Sequence, residues 1–450
     1  MTFTRGRLIA LRIAFLFTLL FLAFPCQFRC AAQTVSPTPT TAQSTNQSNS
    51  QSNTPAYTLP PGKQAKAIAL GRIRNILGIV GTLWDLVLLW LLLATRAAAG
   101  LEASTQRLAR RKWLQGVIYF AAFLIILTLA DLPLDLYAHH VSLSYAISVE
   151  PWGPWLIDIA KSLGFTLLVG VPVLLLFNWI VRHWPRRYWL VCWLAAVPLI
   201  VLSTFLEPLA EPIFNQYEPL AKTHAALVVD LEKVVARTGT NIPPDRMFLM
   251  KASEKSNGIN AYVSGIGATR RIVVWDTTAD RIPNDEIMMV FAHESGHYVL
   301  NHIPKGIAIS AVVFLIVFWL CARFAARLVR KCGPGWQVES LSTRTGFVAL
   351  LFVASIANFL LQPAGNAVSR HYEHQADVFG QEAIHGLVPD PQKTAVASFN
   401  DLGKAWLDDP NPNPYIEFWL SSHPSMQSRA TFAAHYNPWA TGGHGQFFDK

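Results

Sequence analysis

Long apolar stretches alternate with short polar loops over most of the chain. Six of these stretches are long enough to cross the apolar interior of a bilayer as helices. They cover approximately residues 76–94, 113–130, 163–181, 189–205, 307–324 and 347–361. A buried core helix could imitate one such stretch, but hardly all six. The pattern therefore predicts a mainly α-helical, polytopic membrane protein with four transmembrane helices in 63–206 and two in 305–362.

The first 62 residues have a different character. An apolar run at 13–24 follows three arginines and precedes two alanines, as in a secretory signal peptide. The run is short for a full span, which favours a signal peptide over an N-terminal anchor for residues 1–32. Residues 33–54 consist almost entirely of Ser, Thr, Gln, Asn and Pro. The segment 33–62 is therefore predicted to be a disordered polar tether.

The two remaining segments, 207–304 and 363–450, are polar enough to form a small α+β catalytic domain. In the first segment, apolar spacing predicts a helix over 218–237 that stops at Gly239. A second helix is expected to start with Asn284 as its N-cap and to run to about Asn301. Short strands are predicted at 246–250, 259–263 and 271–275, the last two joined by a turn that contains Gly265 and Gly267.

The second of these helices contains the sequence H-E-x-x-H at 293–297. His293 and His297 are four residues apart, so they project from one face of the helix. For an arbitrary histidine pair at this spacing, packing would be the simpler interpretation. Glu294 favours a zinc hydrolase, because a carboxylate one residue after the first ligand can act as general base on a zinc-bound water.

A catalytic zinc ion needs a third protein ligand. The five cysteines suggest neither a disulfide framework nor a thiolate site, so the ligand should be an imidazole or a carboxylate. After the sixth apolar stretch, Glu373 and Asp377 lie four apart on a helix-compatible segment. Glu373 can bind the metal while Asp377 orients a ligand imidazole. On spacing alone, His371, His374, Glu382 and His385 compete with Glu373, and a salt-bridged structural helix is the alternative.

Composition and charge indicate that the site lies in a membrane protein and on which side of the membrane it lies. Hydrophobic residues make up 52% of the chain and charged residues 14%, which is not typical of a soluble globule. The net charge of +9 does not indicate nucleic-acid binding, because the basic residues cluster in loops between spans, where the positive-inside rule explains them. Threading the six spans places three basic loops, at 96–112, 182–187 and 323–344, on one face. Both catalytic segments then lie on the opposite, non-cytoplasmic face, as a leader peptide also implies, and the expected location is the plasma (inner) membrane.

Several separated motifs resemble the type I CaaX prenyl proteases, which are membrane-embedded zinc metallopeptidases of the gluzincin type. The resemblance covers approximately residues 70–429. The shared patterns are H-E-x-x-H at 293–297, S-R-x-[FY]-E-x-Q-A-D at 369–377, N-A-Y at 260–262, H-P at 423–424 followed by Arg429, L-P with L-Y at 132–137, and P-I-F-N leading into Y-E-P-L at 212–220. Two features depart from the family: its eukaryotic members act on the cytosolic side, and the leader and tether replace the first span of a seven-span relative.

The resemblance implies a role for each matched position. It implies zinc ligands at His293, His297 and Glu373, a general base at Glu294, and support of a ligand histidine by Asp377. It also implies that Asn260, Ala261 and Tyr262 pair with an extended substrate and that His423 and Arg429 lie beside the scissile carbonyl. An imidazole such as His423 can also donate to the oxyanion of a tetrahedral intermediate.

The sequence thus predicts a zinc metalloendopeptidase with one Zn²⁺ per chain, embedded in a lipid bilayer. Its expected substrates are peptides or proteins, lipidated or not, in membrane-protein processing or quality control. One alternative is a zinc-bound membrane chaperone or scaffold without catalysis. Another is a transporter, suggested by the six spans and by Asp85 within the first.

Overall fold

The computed structural model of the protein describes residues 56–265 and 267–448. The predicted signal peptide or anchor at 1–32 and residues 33–55 of the predicted tether lie outside the described residues. Buried apolar side chains form two clusters, one between the long helices and one in the polar segments that contain the candidate site.

The amino-terminal half of the described chain is a set of helices joined by short loops. All of them except α2 are long and apolar enough to cross a membrane. They are α1 (Pro61–Ala94), α2 (Ala97–Leu108), α3 (Lys112–Ser144), α4 (Trp152–His183) and α5 (Tyr188–Ala210). The four apolar stretches predicted in this half each lie inside one long helix.

A small mixed segment follows α5. Its elements are β1 (Tyr217–Pro219), α6 (Ala225–Thr238), β2 (Met247–Met250), β3 (Ala261–Ser264), β4 (Arg271–Trp275), α7 (Asp276–Ala279) and α8 (Asn284–Val299). The strands form one sheet in the order β1-β2-β4-β3, in which β2 and β4 are parallel and the outer pairs antiparallel. The three predicted strands are confirmed, β4 without a shift and β2 and β3 with shifts of one or two residues. Strand β3 lies at an edge of the sheet.

The predicted helix over 218–237 is wrong at its beginning. Glu218 and Pro219 belong to β1, where Glu218 is opposite Leu249, and the helix itself starts at Ala225. Pro219 has no backbone N–H to donate and is therefore suited to an edge strand such as β1. Asn284 also differs from its prediction, because Pro283 is the N-cap of α8 and the Asn284 side chain donates to Asp230 Oδ2 at 2.8 Å.

The carboxyl-terminal half contains the last two long helices and three shorter ones. They are α9 (His302–Trp336), α10 (Arg344–Ala383), α11 (Pro391–Trp406), α12 (Pro414–Leu420) and α13 (Met426–His435). The 40 residues of α10 span about 60 Å. This helix continues well beyond the apolar stretch 347–361 and takes Glu373 and Asp377 directly into the polar segment.

The predicted tether extends too far toward α1. Tyr57 is 1% exposed, its backbone N–H donates to Gln427 Oε1 at 2.9 Å, and its hydroxyl donates to the carbonyl of Asp408 at 3.0 Å. Gly403 leaves room for the Tyr57 ring, since a Cβ there would lie 2.6 Å from it. The packed chain therefore begins by residue 57, and its first described residues are fixed to the catalytic segment.

Glu382 anchors the carboxyl-terminal tail to α10. Its buried carboxylate accepts hydrogen bonds from the Tyr436 hydroxyl and from the backbone N–H groups of Gln446 at 2.6 Å and Phe447 at 2.7 Å. Phe448 also donates its N–H to this carboxylate, at 3.0 Å. A carboxylate with this many donors is fully engaged, so Glu382 is a structural residue and not the competing metal ligand that spacing allowed.

Candidate metal centre

Helix α8 places two histidines on one buried face. His293 is 4% exposed and His297 1% exposed, and their Nε2 atoms are 3.2 Å apart. Glu294 lies between them in sequence and is only half-buried, because it projects to one side of the pair. The predicted arrangement of two ligand candidates with a neighbouring accessible carboxylate is therefore present.

Helix α10 brings the third group, because it crosses α8 at very short distance. A Cβ at Gly380 would lie 2.9 Å from the backbone nitrogen of His293, and one at Gly296 would lie 3.0 Å from the Phe379 ring. These two glycines permit the approach of the helices. Glu373 then reaches His293 Nε2 with Oε2 at 3.2 Å and His297 Nε2 with Oε1 at 3.5 Å.

The three groups fit a zinc ion. Ligand atoms about 2.1 Å from a tetrahedral zinc lie about 3.4 Å from one another, and the observed separations are 3.2, 3.2 and 3.5 Å. Glu373 Oε2 is buried, and none of the described residues forms a hydrogen bond with it. Among the described residues, His293, His297 and Glu373 form the one cluster with metal-ligand spacing. Two nitrogens and one oxygen are a usual catalytic zinc set.

The other predicted competitors are engaged elsewhere. The His374 ring packs on Phe432 with centroids 4.7 Å apart, and His385 stacks on Trp439 at 3.8 Å. His371 is exposed and lies next to the Tyr372 ring. Among the described residues, none of these three histidines belongs to the cluster with metal-ligand spacing.

Asp377 and Arg429 form a buried support behind His293. The Nδ1–H of His293 donates to Asp377 Oδ1 at 2.8 Å. Arg429 donates to the same carboxylate twice, from Nε at 2.9 Å and from Nη2 at 2.5 Å, and its guanidinium lies 4.4 Å from the Phe399 ring centroid. This geometry favours Arg429 as a residue that orients Asp377, whereas the sequence placed it beside the scissile carbonyl.

The surrounding protein groups shift the pKa values of the histidines in the site in different directions. Burial lowers the pKa of His293, but the neighbouring carboxylates of Asp377 and Glu373 outweigh burial and raise the pKa to about 10. Burial lowers the pKa of His297 well below its usual value, and the attraction of Glu373 does not compensate. The pKa of His423 is also lowered by burial. The carboxylates therefore act most strongly on His293, the ligand candidate that Asp377 orients.

A further histidine, which the sequence reasoning missed, supports His297. His302 is fully buried, and its Nδ1 accepts the Nδ1–H of His297 at 3.0 Å. Its Nε2–H then donates to Gln375 Oε1 at 3.0 Å, and its ring stacks on Tyr372 at 4.4 Å. Gln375 belongs to the S-R-x-[FY]-E-x-Q-A-D pattern, so the signal was present. The role of Gln375 depends on its contact with His302, which joins α10 to α9 and which sequence spacing does not reveal.

His423, in the loop between α12 and α13, also contacts the cluster of His293, His297 and Glu373. Its side chain is buried, with Nε2 3.1 Å from Glu373 Oε1 and Nδ1 2.9 Å from the Ser422 hydroxyl. The structure thus brings His423 to the predicted metal ligands although 50 residues separate it from Glu373 in sequence.

The edge strand β3 borders the same small pocket as Glu294. Asn260 and Ala261 line this pocket together with His293 and Arg429. Because the carbonyl of Asn260 accepts from Trp275 N–H at 3.0 Å, the alternation of antiparallel pairing directs the backbone groups of Ala261 away from β4. Tyr262 points elsewhere, with its hydroxyl 3.4 Å from that of Tyr217.

Comparison with known proteins gives consistent matches over most of the chain. Residues 222–436 match the model of peptidase family M48, and residues 48–216 match the model of the CAAX prenyl protease N-terminal region with five membrane helices. An uncharacterized metalloprotease of Bacillus subtilis, YhfN, is 31% identical over 382 residues, which cover 84% of this chain and 87% of that protein. CAAX prenyl protease 1 of Saccharomyces cerevisiae is 27% identical over 337 residues, or 70% of this chain and 71% of that protein.

A solved structure has the same fold. The crystal structure of Ste24p from S. mikatae aligns with a TM-score of 0.70 at 22% sequence identity, and covers 83% of this chain and 90% of that one. The membrane helices and the buried His-His-Glu cluster define a membrane zinc metalloendopeptidase. The chain belongs to peptidase family M48 and is similar to the CAAX prenyl proteases, which confirms the class and the resemblance predicted from its sequence.

The contact between His302 and His297 predicts a measurable effect on metal affinity. Replacing His302 by alanine removes the acceptor that orients His297, and loss of such a support typically weakens metal binding by about 10 to 100-fold. We expect this increase in the zinc Kd of His302→Ala, measured by competition with a chelator. His371→Ala, on the exposed side of α10, is the matched control and should bind as the wild type does. An unchanged Kd in His302→Ala would show that the contact has no role in metal binding.

Proposed function

We propose that the chain hydrolyses internal peptide bonds of extended substrates at a single zinc site held by His293, His297 and Glu373. When bound, zinc would polarise the substrate carbonyl and lower the pKa of water. The observation that carries this proposal is the position of Glu294. It is the half-buried carboxylate beside three buried ligand candidates, and it shares a pocket with an edge strand.

Glu294 has the role of general base. It takes a proton from the attacking water and delivers it to the leaving amine. His423 donates to the oxyanion that develops at the carbonyl, as its position next to Glu373 permits. Asp377, held by Arg429, keeps His293 oriented so that Nε2 faces the metal position.

Substrate binds by addition of a strand to β3. The backbone N–H and C=O of Ala261 face away from β4, and Ala261 lines the pocket, so an extended peptide can pair with these groups. Main-chain pairing gives affinity with little dependence on sequence. This mode suits an enzyme that cleaves many unfolded or partly extracted membrane proteins.

The general-base role predicts the behaviour of Glu294→Gln. The amide has nearly the same shape but cannot accept the proton, so we expect peptide cleavage to fall by about 10² to 10⁴-fold while the zinc content stays at the wild-type level. Cleavage and bound zinc are measured on the same purified protein. The control is Glu254→Gln, at an exposed position of the same segment. Full turnover by zinc-loaded Glu294→Gln would contradict the mechanism.

The same assay separates two physiological roles. A prenylated peptide, its unprenylated twin and an unfolded membrane protein are compared with wild type and Glu294→Gln. Dependence on the prenyl group would indicate a processing enzyme for lipidated substrates. Equal cleavage of the twins, together with cleavage of the unfolded protein, would indicate quality control, which the proposed orientation favours.

We also propose that the catalytic side faces the non-cytoplasmic side of the plasma (inner) membrane. Two of the basic loops meet at one end of the bundle, where Arg96 Nε donates to the Gly335 carbonyl at 3.0 Å and Arg344 Nη1 lies 3.4 Å from Glu102 Oε1. Four basic residues near the start of α1 oppose the positive-inside rule; they are Lys63, Lys66, Arg72 and Arg74. The charge of Arg74 is compensated by Asp408, whose Oδ1 lies 3.8 Å from Arg74 Nη1.

This orientation predicts the behaviour of a terminal reporter. Alkaline phosphatase fused after Lys450 should be active, because the tail lies on the catalytic side and phosphatase folds only outside the cytoplasm. Fusion of the same enzyme in the basic loop after Arg186 is the matched control and should be inactive. Activity of the loop fusion with an inactive terminal fusion would reverse the orientation.

Two other functions are less well supported. A chaperone or scaffold with a structural zinc would not need a general base, so this alternative does not explain the accessible Glu294 beside the ligand candidates. A transporter is suggested by Asp85, but this side chain is half-buried and already has an interaction within α1 or with its neighbours.

A further inference from the structure

Helix α12 has an exposed aromatic face that the catalytic mechanism does not use. Asn413 caps this helix by accepting the N–H groups of Tyr415 at 3.0 Å and Ile416 at 3.3 Å. Tyr415 is 86% exposed and Phe418 54% exposed. The two rings are three residues apart and therefore share one helix face. In contact with water, this face would expose two large rings side by side.

The contacts of α12 with the long helices α1 and α10 explain why its aromatic face is exposed. The ring of Trp419 lies 5.1 Å from that of Phe359 on α10. Leu420 lies beside α1 at Gly78, where an added Cβ would be 3.8 Å from the leucine Cδ1 atom. Gly78 is near the catalytic-side end of the first predicted span, 76–94, and Phe359 is near the same end of the last, 347–361. Two helices thus place α12 at the same membrane boundary.

The surface around α12 changes from apolar to polar at this level. On the membrane side, α1 and α10 have exposed apolar residues beyond their contacts with α12; they include Val80 at 41%, Leu83 at 45% and Ile356 at 36% exposure. On the catalytic side, Asn366 donates to the Trp419 carbonyl at 2.6 Å and Arg370 donates to the Ser421 carbonyl at 2.6 Å. Tyrosine and tryptophan side chains, such as those of Tyr415 and Trp419, are enriched at such a boundary.

We propose that α12 lies in the bilayer interface, with Tyr415 and Phe418 inserted between the lipid headgroups and the upper acyl chains. The partner is the lipid surface itself, because the aromatic face continues the lipid-facing surface of the transmembrane helices. Only Ser421 and Ser422 separate α12 from His423, so this contact fixes one wall of the metal centre to the membrane. The proposal concerns lipid contact and does not depend on the catalytic role of any residue.

The test measures lipid contact directly on the full chain in liposomes. A polarity-sensitive fluorophore is attached to Tyr415→Cys or Phe418→Cys in a background with Cys26, Cys30 and Cys332 replaced by serine. Cys192 and Cys321 are buried and remain. The matched control is Val229→Cys on α6, where the native residue is 54% exposed and belongs to the catalytic segment. Quenchers are lipids with a spin label near the headgroup end or at the tail end of the acyl chain, and aqueous iodide.

An interfacial helix inserts about 5–10 Å into the headgroup region, so we expect the shallow spin label to quench both α12 positions at least about two-fold more than Val229. The deep label should quench them less than the shallow one. Iodide quenching equal to that at Val229 would overturn the proposal. So would lipid quenching that appears only after dilution of the protein in lipid, which would indicate that a second copy covers the face, or protection by added peptide alone, which would indicate a substrate surface.

Discussion

The metal centre depends on the close crossing of α8 and α10. Gly380 and Gly296 lie at this crossing, and a side chain at either position would push the helices apart, since its Cβ would lie 2.9 Å from the His293 backbone or 3.0 Å from the Phe379 ring. The three candidate ligands come from both helices, so their separations of 3.2 to 3.5 Å exist only while the helices remain this close. The 40-residue helix α10 is held on both sides of the crossing, by Glu102 at its start and by the Glu382 contacts at its end.

Burial of charge is the second constraint. Glu373 and Asp377 are each 2% exposed, and a buried carboxylate is stable only when cations or hydrogen-bond donors compensate it. Arg429 compensates Asp377 with two hydrogen bonds, and Asp377 in turn orients His293. On the other side of the cluster, His302 and Gln375 orient His297. Each ligand histidine thus has its own polar support, while Glu294 remains accessible to the pocket.

The sequence predicted the features that depend on local pattern. Among the described residues, apolar length located all six long helices, and the H-E-x-x-H helix and three of the four strands follow from periodicity and turn residues. Features that depend on distant contacts were predicted less well. Strand β1 forms because Glu218 pairs with β2 across the sheet, and Tyr57 is ordered because Gly403 leaves a space for its ring. The support of Asp377 by Arg429 was missed because this contact joins residues 52 positions apart, and His302 was missed for a similar reason.

X-ray absorption at the zinc edge, measured on the purified full chain, tests the metal centre most directly. One zinc per chain is predicted, bound by two imidazole nitrogens and a carboxylate oxygen with no sulfur, and the zinc should be lost in Glu373→Ala. The variant His371→Ala, at an exposed position of the same helix, is the control and should keep its zinc. A sulfur ligand, or a zinc ion with the same coordination in Glu373→Ala, would contradict a site built by the crossing of α8 and α10.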